Sequence, residues 1–81
     1  MSVQTSIKLV KVAPGELEGQ NPITSRVRER TGCSIVAVER GDEVLVELDG
    51  EFTLESGDAV YVCGTQDAVS QYYEVFPGAR G

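Results

Sequence analysis

The stretch Asn21-Pro22-Ile23-Thr24-Ser25-Arg26-Val27-Arg28-Glu29-Arg30-Thr31-Gly32-Cys33-Ser34-Ile35-Val36-Ala37-Val38-Glu39-Arg40 runs from a helix start, through a helix stop, into an apolar strand with no loop between them. Asparagine caps free backbone N–H groups, and proline at the first helical position loses a donor that had no partner anyway. Gly32 is the stop, because the residue after a helix favours a left-handed backbone. The spacing predicts a helix of about ten residues with Ile23 and Val27 on one apolar stripe, one turn apart. Arg26 and Arg30 form a second row, and Arg28 lies off it. Residues 33–39 then read as a buried strand.

Working outward, residues 6–13 alternate as an edge strand carrying Lys8 and Lys11, ended by Pro14-Gly15. Ile7, Leu9 and Val12 are expected to face one way, Lys8 and Val10 the other. Leu17 anchors the loop that follows. Downstream, Gly41-Asp42 sits between two β-rich runs and predicts a two-residue hairpin, with residues 43–48 as the returning strand. Phe52 and Leu54 point inward from an extended segment. Ser56-Gly57-Asp58 turns the chain into a buried strand over 59–63. A second helix starts at Gly64-Thr65, and Val69, Tyr72, Tyr73 and Phe76 follow a helical period that packs one face on the sheet. Pro77-Gly78 stops it. The order β-α-β-β-β-α predicts an α+β fold, a small sheet with helices packed on it. Residues 1–81 form a single domain, with a core over about 6–76 and frayed termini.

Composition narrows the function. Thirteen acids against seven bases leave a net charge of −6, and there is no histidine. An acidic body does not suit a nucleic-acid polymer as partner, because phosphate neutralisation needs a basic face. Four of the seven bases nevertheless fall within residues 26–40. Without histidine the usual proton shuttle and the commonest metal ligand are both missing. No serine or cysteine has a partner base, and the glycines make no phosphate-binding loop. The chain is therefore not expected to be an enzyme, to require a cofactor or to hold a metal. Cys33 and Cys63 read as reduced apolar thiols rather than a disulfide. No signal sequence fits Met1–Ser6 and no apolar run approaches the ~20 residues of a membrane span, which points to the cytoplasm without direct membrane insertion. Arg40-Gly41-Asp42 spells an adhesion tripeptide, but the hairpin accounts for all three residues.

Three blocks carry a family resemblance. They are Arg26-x-Arg28-x-x-x-Gly32-Cys33-Ser34-Ile35-Val36-Ala37-Val38-Glu39-Arg40, the Gly41-Asp42 hairpin, and Leu54-Glu55-Ser56-Gly57-Asp58-Ala59-Val60-Tyr61-Val62-Cys63-Gly64-Thr65. Together they resemble the TrkA-C domain, the C-terminal lobe of RCK (regulator of potassium conductance) subunits. The resemblance implies a homodimer, joined around the first helix, that regulates a membrane cation channel or transporter. It would place the chain in the cytoplasm, peripheral to the membrane through that partner. The nucleotide-binding Rossmann lobe of full-length members is not among these residues, which leaves a fragment or a stand-alone subunit open. Some members bind cyclic di-AMP between two copies of this lobe. Their ligand positions fall on Ile23, Arg26, Val27, Arg28, Ser34 and Ile35. Binders often carry an acid–apolar–Arg order there, and this chain has Arg26-Val27-Arg28 instead. The alternative is a purely structural dimerisation lobe without ligand.

Overall fold

A computed structural model describes residues 6–80. Its elements are β1 (Ile7–Val12), α1 (Val27–Thr31), β2 (Ser34–Arg40), β3 (Glu43–Leu45), β4 (Ala59–Thr65) and α2 (Gln66–Val75), with 3₁₀ turns at Gly15–Leu17 and Pro77–Arg80. The strands make one antiparallel sheet in the order β1-β4-β2-β3. This is the β-α-β-β-β-α architecture read from the sequence. The helices cover one sheet face, and Val12, Val38, Val60 and Val62 meet Leu17, Val27, Leu54, Val69, Tyr72 and Phe76 there.

Each element has a local cause. Thr65 ends β4 and caps α2 at once, its side-chain oxygen accepting from the Ala68 N–H at 3.1 Å. The hairpin pairs Arg40 with Glu43, and Gly41 carries the positive φ of 61° that a two-residue turn needs. Asp58 closes the turn before β4, accepting the Glu55 N–H at 2.8 Å, and its carboxylate holds Arg40 through two further bonds. The Leu-x-x-Gly-Asp segment and Arg40 are thus one structural clamp, which gives Arg40 a role within the fold.

Four expectations need correction. The first helix is not continuous: a capped turn over residues 22–25 is followed by Arg26 in the left-handed region (φ 55°, ψ 43°), and only Val27–Thr31 is α-helical before Gly32 at φ 85°. The returning strand stops at Leu45, because nothing in β2 pairs with residues 46–48. In β1, Val12 faces the core with Val10, while Ile7 and Leu9 are exposed on the open face, as strict alternation requires. The C-terminal segment is not frayed through 80. Ala79 is buried, its carbonyl accepts the Ala13 N–H at 3.0 Å, and Arg80 lies 4.6 Å from the centre of the Tyr73 ring. The N-terminal fraying expected for residues 1–5 lies outside the described residues.

Both cysteines are free thiols, Cys33 buried and Cys63 partly so. Burial pushes the Cys33 thiol above its ordinary value. On the open face, Lys11 and Glu39 form an ion pair at 3.0 Å beside Tyr61, whose hydroxyl lies 3.3 Å from the same carboxylate. Among the described residues the buried Tyr72 hydroxyl has no hydrogen-bond partner, and burial pushes its pKa up to about 12. Tyr72→Phe should therefore raise the unfolding free energy by about 1 kcal/mol, since an unsatisfied buried group costs about 1–3 kcal/mol. Denaturant melts of both proteins test this, and a destabilised variant would show that the hydroxyl has a partner.

Candidate functional site

The site begins at Asn21. Its side-chain carbonyl accepts the N–H groups of Ile23 and Thr24, both at 2.9 Å, which caps the first turn. Its amide reaches across the fold to the carbonyls of Asp49 at 2.7 Å and Phe52 at 2.6 Å. One buried asparagine thus fixes the start of the segment to the loop before β4. At its other end, Val27 is 3% exposed and locked in the core. In a continuous helix, residues four apart share a face. Here Ile23 is 59% exposed, so the predicted Ile23/Val27 stripe does not form. The backbone turns at Arg26 to satisfy both anchors. A non-glycine residue in this region costs roughly 1–2 kcal/mol, strain of a kind often stored at ligand sites.

The kink opens a cleft of about 350 Å³ between the 22–29 segment, the start of β2 and the residues after β3. Ile23, Arg26, Val27, Arg28, Ser34 and Ile35 all line it, so the six residues singled out in the sequence come together in one place. Ser34 and Ile35 are half-buried at the base, while Arg26 and Arg28 are exposed. Pro22, Glu29, Val46 and Leu48 also contribute, and the sequence reading had not included them. The apolar alternation of Val46 and Leu48 was visible, but nothing local says which strand lies beside α1. Val46 and Ile23 leave an apolar rim, each more than half exposed.

The electrostatics are uneven. Arg26 and Arg28 make none of the ion pairs found among the described residues, so both guanidinium groups are available to an external anion. Arg30 turns away, 4.7 Å from the centre of the Phe76 ring. Glu29 places one carboxylate on the cleft wall. The backbone N–H groups of Ile23 and Thr24 are already taken by the Asn21 side chain, so the first turn offers neither of them to an anion. What remains is a shallow apolar floor with two forked cations, suited to a flat ring carrying phosphate. No group of three or more His, Cys, Asp or Glu side chains that could hold a metal ion occurs among the described residues.

Comparison with known proteins agrees with this architecture. Over 65 residues the chain is 30% identical to potassium channel protein 1 of Methanocaldococcus jannaschii, covering 80% of this chain and 20% of the channel. It thus spans about a fifth of that relative's length. The RCK C domain of the potassium transport protein KtrA, solved in complex with cyclic di-AMP, matches with a TM-score of 0.71 and 26% identity, over 90% of this chain and 85% of that one. The GsuK RCK domain matches with a TM-score of 0.70 and 27% identity, over 84% of this chain and 16% of that one. Streptococcal BusR (S. agalactiae), solved with its promoter DNA, shares the fold with a TM-score of 0.74 at 23% identity, over 100% of this chain and 41% of that one. A sequence profile of the TrkA-C domain matches residues 9–76, a span that holds most of β1, the other three strands, both helices and the whole cleft, and the chain belongs to the TrkA-C domain family.

Proposed function

We propose that this chain is a non-enzymatic, ligand-sensing regulatory domain of a potassium or other monovalent-cation channel or transporter. It acts as a homodimer and binds cyclic di-AMP where two copies meet. One observation carries the reading: Ile23, Arg26, Val27, Arg28, Ser34 and Ile35 line a single cleft whose arginines make none of the ion pairs found among the described residues. The complex of the KtrA domain with cyclic di-AMP, at 26% identity over nearly the whole chain, supports the same ligand class.

A twofold axis near the exposed Ile23 and Val46 side chains would bring two such clefts face to face and cover both. A ligand with two bases and two phosphates meets identical groups on each side. Ile23 and Ile35 would contact a base, and Arg28 and Arg26 a phosphate. Val27 forms only the floor, since its side chain is committed to the core. The body's charge of −6 opposes an anion at long range, but a screening length of about 8 Å in physiological salt leaves the decision to the nearby arginines. Ligand bound only by the dimer stabilises it by mass action, about 2.7 kcal/mol at a hundredfold excess over Kd. That dimer-stabilising energy is what a channel or transporter partner on the cytoplasmic side would sense. No described helix is long and apolar enough to cross a membrane, so contact with the bilayer would run through that partner.

The test is calorimetric titration with cyclic di-AMP. Arg28→Ala should weaken binding by about 1.5–3 kcal/mol, the range for a hydrogen bond to a charged group, while the dimer still sediments as such. Glu29 on the cleft wall favours the second reading, a structural dimerisation lobe without ligand. A stable dimer that gives neither heat nor a raised melting temperature with cyclic di-AMP would establish that reading instead.

A further inference from the structure

The 22–31 segment separates two clefts, and the second has no part in the reading above. It has a volume of about 430 Å³, with Leu17 and Phe76 at its floor and Glu16, Thr24, Ser25 and Arg30 around it. Glu16, Thr24 and Arg30 are exposed, but the arginine and the carboxylate are each held in place. Arg30 makes none of the ion pairs found among the described residues, and its guanidinium is seated 4.7 Å from the centre of the Phe76 ring. A cation held against an aromatic face keeps its forked N–H donors for another group. Ser25 donates its hydroxyl to the Asn21 carbonyl at 2.6 Å, which fixes the oxygen and leaves its lone pairs free to accept. Glu16 is also held in place, since both its carboxylate oxygens accept the Gly78 N–H, at 2.9 and 3.1 Å. The cleft therefore presents one anchored cation and one anchored anion that are not paired with each other.

We propose that this cleft is a second binding site, for a small zwitterion of the amino-acid class. Its carboxylate would meet Arg30 with the Thr24 hydroxyl, its ammonium would meet Glu16, and its apolar part would rest on Leu17. Two considerations favour a zwitterion over a simple anion. Glu16 repels a ligand that carries only negative charge, and the chain's charge of −6 repels anions but not neutral dipoles. A carboxylate forked onto arginine also supplies geometric selection that a lone surface cation lacks.

The experiment uses the whole chain, with amide chemical shifts followed during titration by a panel of the free α-amino acids. Acetate and methylammonium serve as half-ligands. At least one amino acid should give saturable shifts at Thr24, Ser25, Arg30 and Phe76. Arg30→Gln and, separately, the exposed Thr24→Val should weaken it, Arg30→Gln by at least about tenfold. Each half-ligand alone should bind more weakly than the zwitterion. Arg28→Ala, in the other cleft, should leave this binding unchanged, so its outcome is separable from that for cyclic di-AMP. The absence of saturable shifts across the panel, acetate binding as tightly as the best amino acid, or full affinity in both Arg30→Gln and Thr24→Val would each overturn the assignment.

Discussion

Replacing Phe76 with alanine should lower the unfolding free energy by about 3–5 kcal/mol, the usual range for emptying a buried aromatic site. Phe76 is 2% exposed, its ring centre lies 5.0 Å from that of Tyr72, and Arg30 covers its outer side. It also ends α2, its N–H closing the last turn on the Tyr72 carbonyl at 2.8 Å, and its carbonyl accepts from Ala79. The loss should therefore spread to the 3₁₀ turn at Pro77–Arg80, which docks against the end of β1. A domain of this size has roughly 4–12 kcal/mol in total. Each kcal/mol is worth about 4–8 °C in melting temperature for a domain of 60–100 residues, so the variant should melt tens of degrees lower. Denaturant titration gives the number directly. A change under 1 kcal/mol would mean that α2 does not pack on the sheet as described.

Asp58→Ala should be nearly as damaging, at about 2–4 kcal/mol. Removing one member of a buried ion pair typically costs about 3–5 kcal/mol. The Asp58 side chain is 2% exposed, but Arg40 is 34% exposed and can recover part of its hydration, which trims the loss. The carboxylate accepts Arg40 Nε at 2.9 Å, Arg40 Nη2 at 2.7 Å and the Glu55 N–H at 2.8 Å, so alanine leaves three donors unmatched. The hydrogen bonds from Arg40 hold the Asp58 carboxyl below its ordinary value, against the opposing effect of burial. The folded state therefore binds this proton more weakly than the unfolded chain. The resulting stability is fully present above the unfolded aspartate value near ~3.9 and is lost as pH falls through the lower folded value. The difference in melting temperature between the parent and Asp58→Asn should be constant from neutral pH to about pH 5 and shrink below about pH 4. A difference that does not shrink in acid would show that the Arg40 pair is not its source.

Much of this molecule was legible in its sequence because the signals were local. Gly32, the Gly41-Asp42 turn and the cap at Thr65 each act within a few residues, and each sits where its chemistry requires. The helical period of Val69, Tyr72 and Phe76 reports the buried face of α2, since one regular element presents it. Resemblance to the TrkA-C domain identified six cleft residues, and they do share one cleft. The shape of that cleft came from tertiary structure. Asn21 and Pro22 predicted a long helix, yet Asn21 is tied to carbonyls 28 and 31 residues away, and Val27 must reach the core from the same short segment. A regular helix cannot meet both demands while Ile23 stays exposed, so the backbone bends at Arg26. The bend points Arg26 and Arg28 into one cleft and leaves Arg30 against Phe76 in the other. Val46 and Leu48 joined the site for a similar reason: β3 ends at Leu45, and the unpaired chain beyond it lies beside α1. Propensity and spacing determined where the elements start and stop. Long-range anchoring of Asn21 and burial of Val27 decided which way the arginines face.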